Sequence, residues 1–76
     1  MPRKIRELKA DLHRAGFIER TRRGKGDHSW WSHDLAPAFP VNLDGRDGSD
    51  AAHYQERDVR VALAAVLQAR REAEKG

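Results

Sequence analysis

Phe17-Ile18-Glu19-Arg20-Thr21-Arg22, Arg23-Gly24-Lys25-Gly26 and Asp27-His28-Ser29-Trp30-Trp31-Ser32-His33 form the stretch whose reading decides the fold. Phe17 to Arg22 is short and built of residues that tolerate extension. It runs straight into Gly-Lys-Gly, where two glycines permit a tight turn with little side-chain bulk. Asp27 to His33 resumes after the turn, so the two segments are expected to pair as an antiparallel hairpin. Alternate side chains of a strand share a face. His28, Trp30 and Ser32 therefore belong on one side, and Ser29, Trp31 and His33 on the other. Trp31 is expected inward, as a core aromatic, and Trp30 outward.

Working outward, Ile5, Leu8, Leu12 and Ala15 recur at three- and four-residue steps between Lys4 and Ala15, the buried stripe of a helix. Pro2 sits where a helix can begin, and Gly16 where a left-handed cap would end it. Beyond the hairpin, Phe39, Val41 and Leu43 alternate with Pro40 and Asn42, which suggests a third strand with one buried face. Pro40 has no N–H to donate, so that strand is expected at an edge or with an irregular start. Asp44 to Asp50 is a loop by composition. Gln55 to about Ala73 reads as a helix with Val59, Leu63, Val66 and Leu67 inward and a Glu56–Arg60 pair four residues apart.

The order is α-β-β-β-α, an α+β fold: a three-stranded antiparallel sheet with both helices on one face. The other sheet face is left to solvent or a ligand. Seventy-six residues leave room for one domain, residues 1–76, with a small core. Such a scaffold has no deep pocket, which favours a polymeric substrate over a small molecule. Cys is absent, which removes disulfides and thiolate metal sites and fits a cytoplasmic location. No apolar run approaches the ~18–20 residues that span a bilayer, so no membrane partner is expected.

Fifteen Lys and Arg against twelve Asp and Glu give a net charge of +3. Residues 1–25 carry nine of those cations and only three of the acids, so the positive field is an N-terminal property. Arg20, Arg22, Arg23 and Lys25 lead towards His28, whose residue type suits proton transfer near neutrality. A polyanion held beside a titratable imidazole is what ribonuclease chemistry requires. RNA brings its own nucleophile, the 2′-hydroxyl, so no metal or other cofactor is called for. A base removes the hydroxyl proton, cations stabilise the crowded phosphorus, and an acid protonates the departing 5′-oxygen. His28 fits one proton role, and the other has no assigned group. Lys25 and Arg23 are candidate charge stabilisers, Arg20 and Arg22 candidate strand-positioning groups, and Trp30 a candidate stacking platform for an unpaired base. The bland alternative is a basic hairpin tip before a half-buried strand, with His28 incidental and Trp30 packed on Arg20 or Arg22. His33 falls on the wrong face, and His13 and His53 read as solvated. Asp44, Asp47 and Asp50 lack the alternating carboxylates of a calcium loop and read as a turn-rich segment.

Ala15-Gly16-Phe17 closing a first helix, a basic strand, Gly26-Asp27-His28 and an aromatic three residues after that histidine together resemble the HicA toxins. These are small messenger-RNA interferases of type II toxin–antitoxin modules. The likeness covers nearly the whole chain. Leu43-Asp44-Gly45-Arg46-Asp47-Gly48, Tyr54-Gln55 and the helix through Val59-Arg60 look like a longer variant. The resemblance implies a double-stranded-RNA-binding-domain-like fold, a catalytic His28, messenger RNA as substrate and a HicB-type antitoxin as partner. Where the family usually has Ser before the histidine, this chain has Asp27, an acid that is mildly repulsive to RNA and able to orient His28. A non-catalytic RNA-binding module is the alternative function, and a protein-docking domain a more distant one. Duplex binding would want a basic start to the last helix, but that helix opens Gln55-Glu56-Arg57-Asp58.

Overall fold

In a computed structural model, which describes residues 2–20 and 28–75, the first helix, α1, spans Ile5–Ala15 and buries Ile5, Leu8 and Leu12. Its start is fixed from outside. Lys4 is extended and its N–H donates to Glu7 Oε1 at 2.8 Å, while the N–H groups of Ile5 and Arg6 donate to the carbonyls of Ser49 and Asp47. The 44–52 loop thus satisfies donors that a helix N-terminus leaves open. Pro2 lies before this cap, because Arg3 and Lys4 pair with Ala51 and Asp50 instead of entering the helix. At the other end Gly16 adopts φ 96°, with Gly16 N–H bonded to His13 O and Phe17 N–H to Leu12 O. This is the Schellman pattern that favours glycine.

Strands β1 (Ile18–Arg20), β2 (Ser29–Ser32) and β3 (Val41–Leu43) form an antiparallel sheet in that spatial order. Arg20 lies opposite Trp30 and Ile18 opposite Ser32; Trp30 lies opposite Asn42 and Ser29 opposite Leu43. Ser29, Trp31, Val41 and Leu43 are buried under the helices, as the period-two pattern requires. The second helix, α2, spans His53–Lys75. Val59, Ala62 and Val66 join Ile5, Leu8, Leu12, Phe17 and Trp31 in one core, so both helices cover the same sheet face. The expected α-β-β-β-α architecture is present.

Three details differ from the sequence reading. Phe39 is not in the third strand and is 42% exposed. Its N–H is taken by Ala36 O in a turn, and Pro40 offers none, so the ladder starts only at Val41. Leu67, expected inward, is 51% exposed: it stands about 100° round the helix from Val66, off the stripe that meets the sheet. Among the described residues, Phe17 precedes β1, and His28 and His33 flank β2 instead of lying in it.

Candidate functional site

The hairpin puts its two indoles on opposite faces. Trp31 is 3% exposed, and its Nε1–H donates to the buried Ser29 Oγ at 3.0 Å. Trp30, one residue earlier, is 42% exposed on the face without helices. That face also carries Ile18, Arg20, Ser32 and Asn42. Arg20 is exposed and its guanidinium is directed at Ser32, with Nε donating to Oγ at 3.2 Å. A cross-strand neighbour thus holds the cation beside Trp30.

The β2–β3 ladder, continued one step past Ser29 and Leu43, makes His28 and Asp44 the next cross-strand neighbours. Both side chains then belong on the open face. His28 Nε2 lies 3.8 Å from Asp44 Oδ1, and the two side chains are 66% and 60% exposed. Asp44 is held from behind: its backbone carbonyl accepts a 3.0 Å bond from Nε2 of Gln55, a buried residue in the first turn of α2. Gln55 Oε1 in turn accepts from Ala52 N–H. Sequence reading passed over Asp44, which it took only as part of a turn-rich acidic loop. Counting two residues on from the outward Asn42 would have placed it on the open face, though only the β2–β3 register sets it beside His28.

The other histidines stand elsewhere. His13 and His53 are exposed, on or at the start of helices. His33 is structural: Leu35 N–H donates to Nδ1 at 3.0 Å, leaving Nε2–H to donate to Ala15 O at 3.1 Å, with the ring edge-on to Phe17. Arg70 of α2 donates to the same Ala15 carbonyl.

The N-terminal cations divide into two groups. Four of the five on and before α1 are matched by acids: Arg3 and Arg14 both bond Asp11, Lys4 meets Asp50, and Lys9 meets Asp47, while Arg6 is exposed on α1. Burial pushes the Asp11 carboxyl pKa up, but the bonds from Arg3 and Arg14 outweigh it and hold the group below its ordinary value. The Asp11 bond likewise raises the Arg3 pKa. Of these, the Arg3–Asp11 pair lines a groove of about 250 Å³ between the helices, with Leu8, Glu56, Val59 and Arg60. On the described open face the cation beside Trp30 is Arg20; the site expected from the sequence also includes Arg22, Arg23 and Lys25. The last three lie outside the described residues, as does Asp27.

The arrangement offers an exposed imidazole beside a carboxylate, an exposed indole two residues along the same strand, and a cation across from it. Among the described residues no three His, Asp or Glu side chains converge as a metal site, and no helix is long and apolar enough to cross a membrane. Comparison of the chain with protein-family models, curated proteins and solved structures finds no match.

Proposed function

We propose that this chain is a metal-independent endoribonuclease of the HicA toxin type, acting on messenger RNA in the cytoplasm and neutralised by a HicB-type antitoxin. The observation that carries the reading is the exposure of His28 on the open sheet face with Trp30 and Arg20, which the helices leave uncovered. A single-stranded segment laid along that face stacks one base on Trp30 and sets a phosphate near Arg20. His28 then transfers a proton. The 2′-hydroxyl gives its proton to the base as its oxygen bonds to phosphorus, the bond from phosphorus to the 5′-oxygen breaks, and that oxygen leaves with a proton taken from water, giving a 2′,3′-cyclic phosphate. Arg22, Arg23 and Lys25, next in sequence to the site, supply further charge. The α-β-β-β-α order is compatible with the double-stranded-RNA-binding-domain-like fold that the resemblance implies.

An antitoxin stops both binding and chemistry by setting carboxylates against this basic edge and covering His28, with ~1,200–2,000 Å² buried in total. The alternative, a non-catalytic binder of duplex RNA, finds less support. At the start of α2, Gln55 is buried and Arg57 is paired with Asp58, so that end presents little free positive charge.

The test is cleavage by the purified chain in excess EDTA, on an RNA and on the DNA of the same sequence. Cutting of the RNA alone, undiminished by EDTA, is expected. Cutting of the DNA, or activity restored only by a divalent metal, overturns the 2′-hydroxyl mechanism.

A further inference from the structure

The geometry points to Asp44 as the positioning residue of His28. This inference rests on the ribonuclease reading above and deepens it by naming which ring nitrogen meets the RNA. His28 and Asp44 follow the Trp30–Asn42 pair on the open face, and the carboxylate stands 3.8 Å from Nε2. Asp44 does not sit on a free loop. Its carbonyl is tied to the buried Gln55, and Gly45, at φ 122°, turns the chain away directly after it. The carboxylate is therefore presented from a fixed backbone at the end of β3. The gap from Nε2 closes through a small ring rotation or one bridging water. Asp44 then keeps the proton on Nε2, and Nδ1 is left as the base that takes the 2′-hydroxyl proton. Once that proton has moved, the imidazolium that forms lies beside a carboxylate, which stabilises it as the 2′-oxygen attacks. Among the described residues His28 pairs with Asp44, and Asp27 is adjacent in sequence.

The carboxylate is also a negative charge beside a phosphate path, so its two effects oppose. It aids the proton step and weakens RNA binding. A residue with only a structural role has no such signature.

The experiment compares Asp44→Asn, Asp44→Glu, His28→Ala and the double variant His28→Ala/Asp44→Asn, each checked for wild-type circular dichroism. A buried Asp that orients a catalytic His contributes about 10⁴-fold. For this solvent-screened pair we expect Asp44→Asn to lower kcat about tenfold with KM unchanged or lower. Asp44→Glu should recover most of the loss. In the His28→Ala background, Asp44→Asn should cost nothing further. An unchanged or raised kcat in folded Asp44→Asn, or an equal further loss in the His28→Ala background, overturns the assignment. Full activity of His28→Ala is a separate outcome: it removes the ribonuclease reading itself, and the Asp44 assignment with it.

Discussion

Trp30 and Trp31 are neighbours in sequence, yet replacing each with Ala should damage different properties. Trp31 is 3% exposed and its indole satisfies Ser29 Oγ. Truncating a buried aromatic costs ~3–5 kcal/mol, and leaving the Ser29 hydroxyl without its donor adds about 1 kcal/mol. A chain of this length is stable by ~4–11 kcal/mol. Trp31→Ala should therefore lower the Tm by at least about 15 °C or abolish the cooperative transition. Trp30 is 42% exposed, and its truncation should cost only about 1–2 kcal/mol by area, an upper bound. Its effect should appear instead in RNA affinity. Loss of one stacked base, ~1–3 kcal/mol, weakens Kd by roughly 5- to 150-fold. Thermal melts by circular dichroism and fluorescence anisotropy with a single-stranded RNA, at a temperature where both variants are folded, read the two effects. Equal melting temperatures for the two variants would refute the face assignment. Unaltered RNA binding by folded Trp30→Ala would remove Trp30 as a platform.

Two further expectations concern stability. Because the bonds from Arg3 and Arg14 depress the Asp11 pKa, its contribution is complete above the ordinary carboxyl value and lost as pH falls through the lower folded one. Asp11→Asn should thus cost roughly 1 kcal/mol at neutral pH, since both partners are solvent-screened. The gap from wild type should close as pH falls below the ordinary carboxyl range; a gap that widens in acid refutes the pairing. Gly16→Ala should lower the Tm measurably, at a cost of ~1–2 kcal/mol, because Gly16 is left-handed and an added Cβ would meet His33 Nε2 at 3.2 Å. An unchanged or higher Tm contradicts that cap geometry.

Local periodicity made most of the fold legible. Ile5, Leu8 and Leu12 announce α1, Gly16 announces its end, and the alternation through Trp31 separates the two indoles. Readings failed where the deciding partner is distant or the pattern is ambiguous. Lys9 and Lys4 count towards the N-terminal positive field until Asp47 and Asp50, 38 and 46 residues away, turn out to pair with them. Leu67 continues an apolar series but lies off the stripe that reaches the sheet. Phe39 continues an alternation that a turn at Ala36 interrupts. For the candidate site, the exposure of Trp30 and Arg20 follows from the hairpin. Asp44 depended on knowing the β2–β3 register, which no local signal in Asp44 to Asp50 supplies.

The most direct test of the central claim is the single-turnover rate of RNA cleavage by His28→Ala beside the wild type. The residue is exposed and outside the core, so the variant should keep its circular dichroism spectrum and Tm. A lost acid–base group should slow cleavage ~10²–10⁴-fold. A folded His28→Ala that cuts RNA at the wild-type rate would contradict the account.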